Sequence, residues 1–242
     1  MKRKAVLVVA ALAALLAGCG FFPMVEGSGI LRTSAYPLAG FSKIAVDQAC
    51  RVHVVPDTVF SVTVTCDDTL LPYLEVRKNG LDSVQIGLRQ GYNYRNVTFS
   101  ADVHMPVLTG LDLAGASEAR VQPGFSSSLP ISLRLSGASF IDITGLACGA
   151  MTADMSGASS LSFTGSAGYE TVFASGASRV NLLGCAAIGA NVSLSGASSC
   201  RVDVGTGLIT ISASGASTLY YRGNPAFLVL DLSGASRVVK VY

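Results

Sequence analysis

From residue 111 onward, apolar side chains fall on alternate positions in short runs, and the same four small residues interrupt each run. Ala114-Gly115-Ala116-Ser117 is followed by Ser136-Gly137-Ala138-Ser139, Ser156-Gly157-Ala158-Ser159 and Ser175-Gly176-Ala177-Ser178. Then come Ser195-Gly196-Ala197-Ser198, Ser214-Gly215-Ala216-Ser217 and Ser233-Gly234-Ala235-Ser236. The glycines step by 22, 20, 19, 20, 19 and 19 residues. Four and two residues before them lie pairs such as Leu111 and Leu113, Leu133 and Leu135, and Val192 and Leu194. Four residues after them lie Ala119, Ile141, Leu161, Val180, Cys200, Leu219 and Val238. Period-two alternation predicts strands. The repeat is too short for a strand-helix-strand unit. It fits one coil of a parallel β-helix, where coils stack about 4.8 Å apart. Seven coils then make a rod of about 34 Å.

The tetrapeptide reads as a corner at which the chain bends once per coil. Glycine supplies backbone angles closed to other residues. Parity predicts that the glycine and the following serine face inward. Stacking predicts a column of serines whose hydroxyls bond up the rod, like the side-chain ladders of cross-β structures. In the same register Cys200 reads as a small buried hydrophobe.

Ahead of the repeats, residues 51–55, 61–65, 84–88 and 97–103 alternate or are β-branched, so they too read as strands. They form irregular first coils that cap the rod, since an open end exposes unpaired strand edges. At the far end Arg237 and Lys240 discourage further stacking. Cys50 and Cys66 flank a turn at Pro56-Asp57-Thr58 and would face each other across a hairpin, a candidate disulfide.

The first residues are of another kind. Lys2, Arg3 and Lys4 precede a 14-residue apolar run at 5–18, too short to span a bilayer of about 30 Å. That is a secretory signal pattern. It ends in Leu16-Ala17-Gly18-Cys19, which is similar to a bacterial lipobox and makes Cys19 the expected lipidation site. Gly20 follows where Asp would favour inner-membrane retention, so the outer membrane is the expected location. The organisation expected is a leader at 1–18, a lipid-anchored tether at 19–27, a capping part at 28–110 and the repeats at 111–242.

Composition narrows the chemistry. Charged residues are 13% of the chain, and without the leader's three bases it holds 14 basic against 15 acidic residues. That balance gives no footprint for nucleic acid. With 50% hydrophobic residues the chain has enough apolar surface to fold. Only His53 and His104 are present, and neither lies in the repeats, so no serine triad is suggested. No cysteine spacing suits zinc, no corner carries Asp for calcium, and no flat threonine column suggests ice binding. The column three residues before the glycines reads Asp112, Arg134, Asp154, Phe173, Ser193, Ser212, Asp231. Asp112 and Asp154 would stand about 9.6 Å apart, near the limit for an inverting glycosidase, but Arg134 lies between them. Arg120 with Asp142 and Asp203 with Arg222 repeat the alternation, which suits a solvated charge ladder. The segment Arg89-Gln90-Gly91-Tyr92-Asn93-Tyr94-Arg95-Asn96 combines residue types common in binding surfaces, so Arg89, Tyr92, Tyr94 and Arg95 are the candidate contact residues. Outward Glu118, Phe140, Arg179 and Arg237 form a second candidate face, with Phe140 its apolar exception.

The seven corners at Gly115, Gly137, Gly157, Gly176, Gly196, Gly215 and Gly234 resemble those of the putative auto-transporter adhesin head domain family, the head GIN domain. Val25-Glu26-Gly27-Ser28-Gly29 is similar to its opening motif, and Phe41-Ser42-Lys43-Ile44 to its first strand. Cys66-Asp67-Asp68-Thr69-Leu70-Leu71-Pro72, then Asn79-Gly80-Leu81, resemble its second strand, short helical connection and hairpin. Met105-Pro106-Val107-Leu108 leads into the repeats as in the family. The resemblance implies an all-β, right-handed parallel β-helix similar to pectin lyases but without their catalytic residues, and a role in adhesion. The expected function is a non-catalytic, lipid-anchored cell-envelope scaffold without cofactor or metal. Its expected partners are the membrane through the N-terminal lipid, then a polysaccharide, a cell-surface protein or a second copy of itself. A pectin-lyase-type enzyme and a self-associating envelope component are the alternatives.

Overall fold

The computed structural model describes residues 22–242. The leader and Cys19 lie outside the described residues. The chain is all-β, with 59% strand and 3% helix, and winds into a β-solenoid of about six turns. Ten strands stack into one sheet and eleven into another. The strand before each corner belongs to the first sheet and the strand after it to the second. Met151–Met155, for example, lies between Ile131–Leu135 and Glu170–Ala174, whereas Ser160–Ala167 lies between Phe140–Cys148 and Arg179–Ala187. Beyond register shifts between Phe140–Cys148 and Ser160–Ala167 and between Ser160–Ala167 and Arg179–Ala187, residues 146–148, 165–167 and 185–187 pair as a shorter third run.

Stacking aligns the apolar positions into columns. Leu133, Ala153, Val172, Val192 and Ile211 are in register and buried, as are Ile141, Leu161, Val180, Cys200 and Leu219. Each sheet turns this face to the other and its variable face to solvent.

The corner glycines do stand in single file, and their φ angles lie between 66° and 76°. Their orientation differs from the parity expectation. Glycine and the following alanine are exposed, and of the four residues only the last serine is buried, at six of the seven corners, Ser236 being partly exposed. The ladder up the stack is made of backbone. The Ala138 amide donates to the Gly115 carbonyl at 2.7 Å, and Ala158, Ala177, Ala197, Ala216 and Ala235 repeat the bond. A Cβ on Gly157 would collide with the Gly137 carbonyl oxygen. The buried serines do not bond up the rod. Ser139 donates to the Ser136 carbonyl at 2.7 Å, and Ser117, Ser159, Ser178, Ser198 and Ser217 likewise bond three residues back. A buried hydroxyl takes the nearest free acceptor, and the turn supplies one inside each coil.

The capping part contains one coil that is already regular. Lys43–Val46 pairs in parallel with Gly110–Leu113, and Arg51–Pro56 with Glu118–Val121. Asp47-Gln48-Ala49-Cys50 therefore sits under the first glycine corner. Gln48 and Ala49 both adopt left-handed φ, at 59° and 60°, and Cys50 occupies the buried serine column. Antiparallel strands close this end. Leu31–Tyr36 pairs with Ser61–Asp67, which pairs with Phe99–Met105, and Leu74–Asn79 pairs with Ser83–Leu88 around Gly80. A 3-10 helix at Asp68–Tyr73 makes the short connection.

Two expectations for this region are corrected. Cys50 and Cys66 do not face each other across a hairpin, because strand Phe99–Met105 lies between theirs. Two strand spacings put them about 9.6 Å apart, beyond disulfide reach. Both are free and buried, and burial pushes both thiols up. Residues 24–26 are not tether. Met24–Glu26 pairs in parallel with Asn93–Arg95, and Val25 is buried. At the other end, Leu230 and Leu232 occupy core columns yet are 53% and 39% exposed, because the last described coil has a neighbour on one side only.

The corner geometry makes a paired prediction. Gly80 and Gly157 have nearly the same φ, 72° and 75°, but a Cβ on Gly80 meets nothing within 4 Å. Gly80→Ala should cost about 1–2 kcal/mol of backbone strain. Gly157→Ala should cost about 2 kcal/mol more, since the coil below must also shift. Urea unfolding of both variants measures the difference.

Candidate functional site

The segment singled out for its tyrosines and arginines joins Ser83–Leu88 to Phe99–Met105. Those strands stack on the first regular coil, with Ile86 level with Val46 and Ser100 level with Arg51. At this level the four-residue corner is replaced by a ten-residue loop, which overhangs the head of the glycine column. Between loop and column lies a shallow groove of about 540 Å³, lined by Tyr92, Tyr94, Val97, Gln48, Ala49 and Gly115 among others.

The tyrosines are half-buried and pack as a cluster. The Tyr73 ring centroid lies 4.6 Å from that of Tyr92 and 6.0 Å from that of Tyr94. The Tyr94 hydroxyl donates to the Arg89 carbonyl at 2.7 Å. Burial, then the neighbouring Tyr73 and Tyr92 phenols, push its pKa up. Arg89 and Arg95 are exposed and do not line the groove. The structure thus brings Tyr92 and Tyr94 to one site and leaves the two arginines outside it.

The loop is held from below. Asp67, 1% exposed, accepts from the Gly29 and Thr98 amides, each at 2.6 Å. Asn96 donates to Glu26 at 2.7 Å and has a left-handed φ of 51°. Asp47, Gln48, Ala49, Tyr73 and Asp67 were missed in the sequence. One signal was present for three of them: the alternating runs ending at Val46 and starting at Arg51 are separated by four residues, the spacing of a corner.

Elsewhere the titratable groups stand apart. Asp112, Arg134 and Asp154 follow one another up the outer face of the ten-stranded sheet, all exposed. Arg222 pairs with Asp203 at 2.6 Å. Arg120 does not close on Asp142 but on Glu118 in its own strand, at 2.6 Å. Among the described residues no group of three or more His, Cys, Asp or Glu could hold a metal ion, and no helix is long and apolar enough to cross a membrane.

Glu170 is a buried carboxyl group in an otherwise apolar column. It stands in a column with Ile131, Met151, Ala190 and Ile209, is fully buried, and neither carboxylate oxygen has a hydrogen-bond partner. Burial pushes its pKa up to about 8. The same burial raises the thiols of Cys148, Cys185 and Cys200, with Glu170 adding to each. A raised carboxyl pKa often marks a catalytic acid. Here the group is sealed inside the rod, out of reach of any substrate on its surface.

The chain matches the model of the family described as "Putative auto-transporter adhesin, head GIN domain" over residues 40–225. No curated protein matches. Solved structures do. A putative adhesin from Bacteroides fragilis superposes with a TM-score of 0.81 at 16% identity, over 90% of this chain and 100% of that one. A putative lipid binding protein from Parabacteroides distasonis gives 0.73 at 14% identity, over 90% and 100%. A putative adhesin from Parabacteroides merdae gives 0.69 at 15% identity, over 91% and 100%. At these identities the likeness establishes the fold.

Two variants test the site's supports. Asp67→Ala should cost about 2–3 kcal/mol, because two amides lose a charged acceptor, and limited proteolysis should then cut near residue 30 first. For Glu170 the folded pKa is raised, from 4.5 to about 8. Its contribution is therefore best below about pH 4.5 and declines as pH rises to about 8. Glu170→Gln removes that decline, so at pH 8.5 the variant should be the more stable by a few kcal/mol. Thermal melts of both proteins from pH 5 to 8.5 check this, and parallel curves would contradict it.

Proposed function

Because the chain belongs to the family described as "Putative auto-transporter adhesin, head GIN domain", we propose that it is a non-catalytic binding scaffold of the bacterial cell envelope, anchored by lipid at Cys19. The observation that carries this reading is the division of labour in each coil. Inward positions are apolar and packed, while outward positions vary from coil to coil along two broad, stiff sheets. Such a rod presents side chains at fixed spacings without ordering cost, which favours adhesion to extended partners.

The lipid anchor rests on the lipobox at residues 16–19. Buried acyl groups contribute about 0.8 kcal/mol per CH₂, so several chains hold a protein at a membrane stably. Gly20 in place of Asp favours the outer membrane in a cell that has one, and the groove under Tyr92 and Tyr94 offers a surface for a partner. The alternative, a polysaccharide-cleaving enzyme, needs two carboxyl groups converging on one sugar with room for water. The exposed Asp112 and Asp154 instead have Arg134 between them.

The test uses the full chain expressed in a Gram-negative host. Metabolic labelling with palmitate should mark the native chain and leave Cys19→Ala unlabelled and released from the membrane fraction. Protease added to intact cells should then digest the native chain. Protection from protease would overturn the adhesion role, and an unlabelled native chain would overturn the anchor.

A further inference from the structure

The outer face of the eleven-stranded sheet carries a second groove, of about 340 Å³, at the face that Phe140 and Arg179 mark in the sequence. Ser160, Ser162 and Ser199 give it a low floor, and Phe140, Arg179, Arg201 and Tyr220 stand around it. The register sets their spacing. Phe140 aligns with Ser160 and Ser160 with Arg179, while Asn181 aligns with Arg201 and Arg201 with Tyr220. Phe140 and Tyr220 are therefore four coils apart, about 19 Å. The two arginines sit on adjacent coils two residues out of step, with Cα atoms about 8 Å apart.

The charge of this strip is not neutralised by the protein. Of the nearby carboxylates, Asp203 pairs with Arg222 and Glu118 with Arg120, while Asp142, level with Arg120, stands two coils from Arg179 and three from Arg201, about 10–14 Å away and outside ion-pair distance. Glu170 is inside the core. Arg179 and Arg201 are exposed and form no ion pair among the described residues. The Arg201 guanidinium lies 5.3 Å from the Tyr220 ring centroid, a contact that orients the cation and leaves its N–H donors free.

We infer that this groove binds a segment of an acidic polysaccharide. The guanidinium groups pair with uronate carboxylates, for which their planar forks are suited. The Phe140 and Tyr220 rings take the apolar C–H faces of sugar rings at either end. A low-floored strip about four coils long admits an extended polymer, whereas a planar layer of lipid headgroups would ride on its walls. This assignment rests on the scaffold reading above and gives that scaffold a ligand class.

The test is binding of the full chain, purified in detergent, to immobilised polygalacturonate. Dextran serves as the neutral control, and phosphatidylglycerol vesicles as the anionic lipid control. Binding should be specific for polygalacturonate and weaken as salt rises. Arg179→Gln with Arg201→Gln should lower affinity at least about tenfold, and Phe140→Ser with Tyr220→Ser should do the same, with melting temperatures unchanged. Equal binding by the arginine variant, no binding by the native chain, or preference for dextran or the vesicles would each overturn the assignment. A chain that protease reaches on cells but that ignores polygalacturonate defeats the groove assignment alone. A chain that binds polygalacturonate but is protected on cells defeats the surface role alone.

Discussion

The structure depends on one backbone hydrogen bond repeated up an edge: the amide of each corner alanine donating to the carbonyl of the glycine one coil earlier, at 2.7 to 2.8 Å. That bond brings the two corners so close that the space a Cβ would need is already filled by the carbonyl below. Glycine is thus required twice, by its left-handed φ and by the stacking distance. The serine that follows is buried and closes the turn onto its own coil. Each corner therefore has one bond that shapes it and one that stacks it. With the corners locked, the registers of both sheets are locked too, and a one-residue slip would turn a coil's apolar set to solvent.

Function follows from what this leaves free. The interior is committed to packing: Glu170 is buried within an apolar column, and buried Asp67 is spent on holding the Gly29 and Thr98 amides. Variation is confined to the outer faces, where the geometry is the same for every coil and only side chains differ. The N-terminal end departs from the repeat. A coil with Gln48 and Ala49 at its corner, antiparallel strands over it and a loop tied down by Asp67 cover an edge that would otherwise stay unpaired. That departure creates the groove beneath Tyr92 and Tyr94.

Legibility in the sequence divided along the same line. Seven copies of a tetrapeptide with alternating flanks specify strands, corners and stacking, because one physical solution must satisfy all of them. The column containing Cys200 and the pairing of Asp203 with Arg222 followed from spacing alone. Side-chain orientation inside the corner did not, since a left-handed residue breaks the parity on which an inward glycine was expected. The serine ladder failed because a carbonyl three residues back is nearer than the next coil. In the non-repeating part, Cys50 and Cys66 misled because a strand from residues 99–105 enters between theirs, a long-range pairing with no local signature. Tyr92 and Tyr94 are visible as residue types, but Asp47 and Gln48 reach the same groove, and Tyr73 the ring cluster beside it, only through the fold.

Amide hydrogen exchange at the corners tests the central claim most directly. The side chains of Ala138, Ala158, Ala177, Ala197 and Ala216 are exposed, yet each amide is bonded to the coil below. These five amides should exchange as slowly as those inside the flanking strands. Exchange as fast as that of exposed Gln90 and Gly91 would contradict the account, because it would mean that the corners are not what holds the coils together.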